Sequence, residues 1–259
     1  MAAAASQDCL KLLPGRASGL FFASTTAPYA ERLNASLIAA IADLSDECST
    51  ADFAGSLRAG VTALRLAAAS AADGPIVVCA ADTRDAAPGS DEEQLFADGA
   101  GAVAIGRENV IAEVVASVGG NDDFFDAVRR DRDPEVISYS SRFSVERGYQ
   151  RNLASAIRRI LQAANIAPAQ VKRLVLNSPD RNSHLHLAKQ LGFLPEQVQD
   201  IAWQDIGITG CAMPLILLAD ALESSQPGEY ILLAAYGNGA DAVLLRTTEA
   251  ILRYRPRVS

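Results

Sequence analysis

The residues able to do covalent or acid–base chemistry are few in this chain and scattered. Its four cysteines, Cys9, Cys48, Cys79 and Cys211, show no CxxC or CxxH spacing, so they outline no structural zinc site. Cys79 lies in an apolar, strand-like run, where cysteine serves as a small buried hydrophobe. Ser56 stands at a strand-to-helix junction. Its hydroxyl is a nucleophile only beside a base, and the commoner use of serine at such a junction is to cap the helix. His184 and His186 are two residues apart in a helix-like segment, so they cannot share a helix face and at least one is expected at the surface. Asn177 can donate and accept hydrogen bonds but is no base at neutral pH. The turn Gly237-Asn238-Gly239 is not a Walker loop and opens no clear helix, so phosphate binding has little support there.

The elements that must position these residues alternate. Strand-like runs, apolar on both faces, are Leu20–Ser24, Ile76–Ala81, Ala102–Ile105, Leu174–Leu176, Ile231–Ala235 and Ala242–Leu245. Helical periodicity marks Ala30–Leu44, with Leu33, Leu37, Ile38, Ile41 and Leu44 on one stripe, and also Leu57–Ala69 and Tyr149–Ala164. Strands alternating with such helices predict an α/β fold. The order also repeats. Ile76–Ala81, a loop, Ala97-Asp98-Gly99-Ala100-Gly101 and Ala102–Gly106 mirror Ile231–Tyr236, Gly237-Asn238-Gly239-Ala240-Asp241 and Ala242–Arg246. Ahead of each unit come a strand, a helix, a short strand (near Thr50–Ala54 and near Ile201–Asp205) and a helix. The halves meet around Glu108–Ser144. There a strand-like Ile111–Val118 precedes the charged run Arg129–Pro134, which is expected to form a solvated connection.

At 259 residues the chain can bury roughly three quarters of its unfolded surface. Its net charge of -8, with no Lys/Arg cluster, argues against nucleic acid or an anionic membrane as partner. No run approaches the ~20 apolar residues of a membrane span. The opening Met1-Ala2-Ala3-Ala4-Ala5 lacks the features of a secretory signal, so a reducing cytoplasm is the expected home.

The segment Asp205–Pro214 (DIGITGCAMP), the helix-like Leu215–Leu222, the strand-like Tyr230–Tyr236 and Gly237-Asn238-Gly239 follow one another. Together they resemble the C-terminal catalytic segment of the thiolase superfamily, in the branch of hydroxymethylglutaryl-CoA synthase and ketosynthase III. A second match runs from Ala81-Asp82-Thr83 through Ala87-Pro88-Gly89 to Asp98-Gly99-Ala100-Gly101, and is similar to archaeal and bacterial synthase-like members. The resemblance extends from Leu20 to Thr248. It implies an α/β, thiolase-like layered αβαβα fold from two duplicated halves, an incomplete one over 1–107 and a second over 108–259. The first strand and helix of the first half are expected to be missing, since only nineteen residues precede Leu20.

The resemblance also implies Claisen-type condensation or acyl transfer. A cysteine at a buried helix N-terminus attacks a thioester and is helped by the helix dipole. A histidine and an asparagine bind the thioester oxygen or move protons, and synthase-type members add a glutamate. The chain departs from this pattern at every position. The cysteine falls at Gly55 or, with a one-residue shift, Ser56. The histidine of a His-x-Pro pattern falls at Asn177, before Ser178-Pro179. The asparagine of Gly-Asn-Thr falls at Ile208, and the glutamate falls near Thr25. Cys48 lies seven residues before Gly55, ahead of the strand, and reads as structural. What is retained is architectural: Gly99, Gly101, Gly237 and Gly239 for tight turns, Pro179 and Pro214 for backbone restriction.

Intact architecture without its chemistry implies a catalytically degenerate protein of this type, binding an acyl thioester or scaffolding an acyltransferase complex. The alternative is a condensing acyltransferase that works without the cysteine, through Asn177 and oriented backbone N–H groups. No metal or resident cofactor is expected, and a coenzyme A thioester is the expected substrate or ligand. The expected partners are a second copy or a thiolase-fold paralogue, and a zinc-ribbon/OB-fold protein of the kind that accompanies this subfamily.

Overall fold

The computed structural model describes residues 1–71, 74–130, 133–138 and 141–253. Two four-stranded sheets organise it. In the first, β1 (Gly19–Ser24) pairs in parallel with β2 (Ser49–Ala54) on one side and β3 (Ile76–Asp82) on the other, and β4 (Gly99–Ile105) runs antiparallel to β3. In the second, β8 (Val171–Leu176) is parallel to β9 (Tyr230–Tyr236). β10 (Gly239–Thr247) is antiparallel to β9, and β5 (Ala112–Asn121) closes the far side of β10. A two-residue pair, β6 (Ala127–Val128) with β7 (Ile137–Ser138), lies in the connection between the halves. The charged run Arg129–Pro134 falls partly outside the described residues.

Helices fill the spaces in five alternating layers. α1 (Ala2–Leu10) and α2 (Asn34–Ile41) cover the outer face of the first sheet, where Leu20, Phe22, Ala35, Ile38, Cys79 and Ala81 form one core. α3 (Ala59–Ser70) and α7 (Met213–Ser224) form the middle layer between the sheets and pack on each other. Both sides of that layer meet a sheet, which is why these two helices carry small and apolar residues almost all round rather than on one stripe. Gly60 permits the close approach: a Cβ there would lie 2.9 Å from the Cys211 carbonyl and 3.3 Å from the Ala80 methyl. On the far side, α4 (Ser141–Phe143) leads through a π-helical turn, Ser144–Gln150, into α5 (Arg151–Ala164). α5 covers the second sheet together with α6 (Ser183–Gln190). α5 buries Leu153, Ala156, Ile157, Ile160 and Leu161 and stops where Asn165 turns left-handed at φ 53°. The result is the αβαβα arrangement of duplicated halves.

Three expectations need correction. No strand forms near Ile201–Asp205. Ala202 has φ 48° and its amide bonds Asp200 Oδ1 at 2.9 Å, while Asp205 and Ile206 both donate back to the Ala202 carbonyl, so the segment coils into turns. What survives of the pairing is one bridge between Leu174 and Val198. The helix expected over Ala30–Leu44 shortens to α2 because Asp52, on β2, reaches across and accepts from the Asn34 and Ala35 amides at 2.8 and 2.7 Å. That carboxylate fixes the helix start and meets its positive end. Leu33 and Ile41 are thereby left 42% and 52% exposed. Third, α3 is capped at Arg58, so Ser56 lies in the preceding turn rather than at the cap.

Candidate functional site

Of the positions that the resemblance points to, Ser56, Asn177, Ile208 and Thr25 are engaged in structural contacts and Gly55 is open. Gly55 follows β2 with φ 76°, and no atom lies within 4 Å of where its Cβ would be. The Ser56 hydroxyl donates to the Gly237 carbonyl at 2.8 Å and accepts weakly from the Arg58 amide at 3.3 Å. No base touches it. Asn177, 6% exposed, has both ends of its amide committed: Nδ2 donates to the Tyr236 carbonyl at 3.0 Å and Oδ1 accepts from the Tyr236 amide at 2.9 Å. Its own carbonyl accepts from the Tyr149 hydroxyl at 2.8 Å. Gly237 follows Tyr236, so Ser56 and Asn177 converge on one short stretch at the end of β9. Ile208 is core: its amide donates to the Leu95 carbonyl at 2.7 Å, its carbonyl accepts from Ala97, and it bridges Phe96.

Thr25 belongs to a third cluster, centred on a residue that the resemblance placed in a matched segment without giving it a role. Asp82, at the end of β3 and 1% exposed, accepts five hydrogen bonds. Oδ1 takes the Ser24 hydroxyl (3.0 Å), the Thr25 amide (2.6 Å) and the Thr26 hydroxyl (3.1 Å). Oδ2 takes the Thr25 hydroxyl (2.9 Å) and the Cys211 amide (2.8 Å). The carboxylate thus ties the loop after β1 to the turn that leads into α7. A run of hydroxyl residues after an apolar strand, Ser24-Thr25-Thr26, is the one sequence sign that a buried acceptor waits nearby.

A second buried carboxylate joins the halves. Asp241, on β10 and 1% exposed, receives Arg65 Nη1 at 2.6 Å and Arg58 Nη1 at 3.2 Å, and also the Thr62 hydroxyl, all from α3. Arg58 continues to the carbonyls of Gly120 (2.8 Å) and Asn238 (3.2 Å). The N-terminal turn of the central helix is thereby fixed to the Gly237–Asp241 turn.

None of the four thiols, all free, is poised as a thiolate. Burial, reinforced by Cys79, pushes Cys9 up to about 11, and burial does the same for Cys79. Burial and then Asp46 raise Cys48. Burial, followed by the Asp82 charge, raises Cys211 well above the ordinary thiol range, and its sulfur lies 3.4 Å from the Ala23 carbonyl. A thiol nucleophile needs the opposite environment.

The histidines divide as their spacing required. His186 is exposed beside Gln190, and His184 is buried with Nδ1 unpartnered. Burial lowers the His184 pKa, opposed by the charges of Asp180 and Asp200. The unfolded chain therefore takes up this proton first, near pH 6.5. The stabilisation from His184 is complete above that pH and is lost as pH falls through the lower folded value. Urea midpoints measured between pH 7.5 and 5 are expected to fall more steeply for the wild type than for His184→Gln; parallel slopes would contradict this account.

Two surface depressions lie away from these clusters. One of about 280 Å³ is lined by Arg142, Val145, Glu146, Gln150, Asp180 and Ser183. The other, about 390 Å³, lies between the 169–172 and 194–197 segments and Gly228-Glu229. Neither is lined by Thr25, Gly55, Ser56, Asn177 or Ile208. Among the described residues no group of His, Cys, Asp and Glu is arranged to hold a metal ion, and no helix is long and apolar enough to cross a membrane.

Five alternating layers, two duplicated halves and a paired central helix layer define a thiolase-like fold. The crystal structure of 3-oxoacyl-[acyl-carrier-protein] synthase III from Aquifex aeolicus VF5 matches it with a TM-score of 0.80 at 22% identity, over 93% of this chain and 78% of that one. A structure of HMG-CoA synthase complexed with CoA matches with a TM-score of 0.83 at 15% identity, over 96% of this chain and 70% of that one. Residues 161–247 match the family model for the C-terminal part of 3-oxoacyl-[acyl-carrier-protein (ACP)] synthase III. Hydroxymethylglutaryl-CoA synthase of Archaeoglobus fulgidus is 31% identical over 247 residues, 93% of this chain and 71% of the relative. The enzyme of that name from Picrophilus torridus is 30% identical over 93% of this chain and 70% of the relative. The chain belongs to the hydroxymethylglutaryl-CoA synthase family.

Proposed function

We propose that the chain is a catalytically degenerate member of its family, which binds an acyl thioester or scaffolds an acyltransferase complex rather than forming an acyl-enzyme. The observation that carries this reading is Asn177. At the position where the family pattern calls for histidine, the side chain offers no base, and one donor and one acceptor of its amide are held by the Tyr236 backbone. The four raised thiols and the base-free Ser56 agree with it. They also weigh against condensation without the cysteine, since the amide which that route would use is oriented by the Tyr236 backbone. Four free cysteines suit a reducing cytoplasm.

A partner fits at the outer edge of β2. Among the described residues no strand pairs there, and Tyr29, Leu33 and Ile41 are exposed on the α2 side of that edge. A second copy or a thiolase-fold paralogue is the proposed occupant, with a zinc-ribbon/OB-fold protein as an additional component. Copurification from the native source, with mass spectrometry of partners and bound thioesters, tests both.

Incubation with labelled acetyl-CoA is expected to give binding without covalent transfer, and label mapped to Ser56 would sink the proposal. Gly55→Cys supplies the missing thiol in open space, but at a left-handed φ that strains any side chain by about 1 kcal/mol. The variant is expected to fold with that loss in urea. Intact-mass spectrometry is expected to show it unacylated by acetyl-CoA at neutral pH, because no base stands beside the thiol.

A further inference from the structure

Among the described residues, one cation near Thr25 has no carboxylate partner. Arg84, two residues after Asp82, lays its guanidinium over the Phe96 ring, 4.3 Å from the centroid, and Phe96 in turn bridges Ile208. Its Nε is buried without a hydrogen-bond partner. Among the described residues the ion pairs involve Lys11, Arg58, Arg65, Arg130 and Arg142; neither Arg84 nor Arg129 has a carboxylate within 4.0 Å.

Arg129 reaches the same place from the connection between the halves, donating Nη2 to the Thr25 carbonyl at 3.0 Å. The Thr83 amide donates to the Thr26 hydroxyl at 2.9 Å, which holds the base of Arg84 against the same loop. The two guanidinium groups are close enough to oppose each other, and burial together with Arg129 lowers the Arg84 pKa against the pull of Asp82 and Cys211. The Asp82 carboxylate is already engaged by five donors. Asp98 is engaged by the Arg84 backbone amide. Asp82 and Asp98 thus spend their oxygens on hydroxyl and amide donors, and neither makes an ion pair with the Arg84 or Arg129 guanidinium. A partly buried, unpaired arginine fork is an oxyanion receptor awaiting its ligand, since guanidinium geometry matches carboxylate and phosphate oxygens.

We propose that Arg84, assisted by Arg129, forms an oxyanion-binding site beside Thr25 that reads a negatively charged group on the bound thioester. The group is either a carboxylate on the acyl chain or a phosphate of coenzyme A. This inference rests on the acyl-thioester reading, and the test separates the two. Calorimetric titration of the full chain with coenzyme A, acetyl-CoA, succinyl-CoA and free succinate is compared for wild type, Arg84→Met and Arg129→Gln.

With an acyl carboxylate as the source, succinyl-CoA binds the wild type roughly tenfold or more tightly than acetyl-CoA, the worth of one charge-assisted hydrogen bond. Arg84→Met erases that preference and Arg129→Gln reduces it. With a phosphate as the source, the thioesters bind alike and Arg84→Met weakens all three coenzyme A compounds by a similar factor. Affinities unchanged in both variants overturn the oxyanion site while leaving thioester binding standing. Succinate binding that depends on Arg84, without any coenzyme A binding, keeps the site and removes the thioester reading. No binding by any probe removes both. Should Arg84→Met fail to fold, the Arg129→Gln comparison decides.

Discussion

Asp241→Ala is expected to lower the unfolding free energy by about 3–5 kcal/mol, the range for removing one partner from a buried ion pair and stranding the other. Asp241 is 1% exposed and pairs with two guanidinium groups, Arg58 and Arg65, whose side chains are themselves only 18% and 24% exposed. Without it, both cations lose their counter-charge in the interior, although Arg58 keeps the Gly120 and Asn238 carbonyls and the Thr62 hydroxyl keeps the Arg58 carbonyl. The urea midpoint should fall with little change in slope, because the surface exposed on unfolding is unaltered. A loss below about 1 kcal/mol would show that water reaches the arginines and that the pair behaves like a surface contact. Replacing the whole set with apolar residues of similar volume is expected to be far milder than removing Asp241 alone.

Asp82→Ala is expected to have an effect of similar size, about 3–4 kcal/mol, through a different route. Here the stranded groups are neutral donors: the Thr25 and Cys211 amides and the hydroxyls of Ser24, Thr25 and Thr26. A buried amide left without an acceptor costs about 1–3 kcal/mol, while the hydroxyls can rotate toward other acceptors. The Cys211 amide is the most exposed to loss, because the turn is rigid: a Cβ at Gly210, which has φ 60°, would collide with the Asp82 carboxylate. Asp82→Asn keeps the shape and part of the acceptor capacity, and is expected to recover at least half of the stability. Equal losses in the two variants would mean that the site needs the charge rather than the acceptor count.

Much of the layering was legible because it is written in local periodicity. The bounds Tyr230–Tyr236 fall on β9 residue for residue, and the helical period over Tyr149–Ala164 is the one α5 buries through Leu153, Ile157, Ile160 and Leu161. The unbroken apolar character of Leu215–Leu222 fits a helix with a sheet on either side. The misreadings came from pairings across long stretches of chain. Asp52 shortens α2 from another element, and an Asx-type turn at Asp200 replaces a strand that the repeat predicted. In the candidate site, the family resemblance pointed to Thr25, Gly55, Ser56, Asn177 and Ile208. What surrounds those places was not legible, because Asp82, Asp241 and Arg84 act on partners up to 183 residues away.

The Asn177–Tyr236 contact also bears on how such a chain can change. An amide that offers one donor and one acceptor to the two backbone groups of a single residue fits the lattice better than an imidazole, which in its neutral form cannot meet both with the same geometry. A histidine placed there would give up at least one of the two contacts that hold the chain after β8 to the end of β9. Under the proposed non-catalytic reading, asparagine at 177 is therefore entrenched: a change toward histidine starts with a loss of stability and returns nothing until several further changes have accumulated.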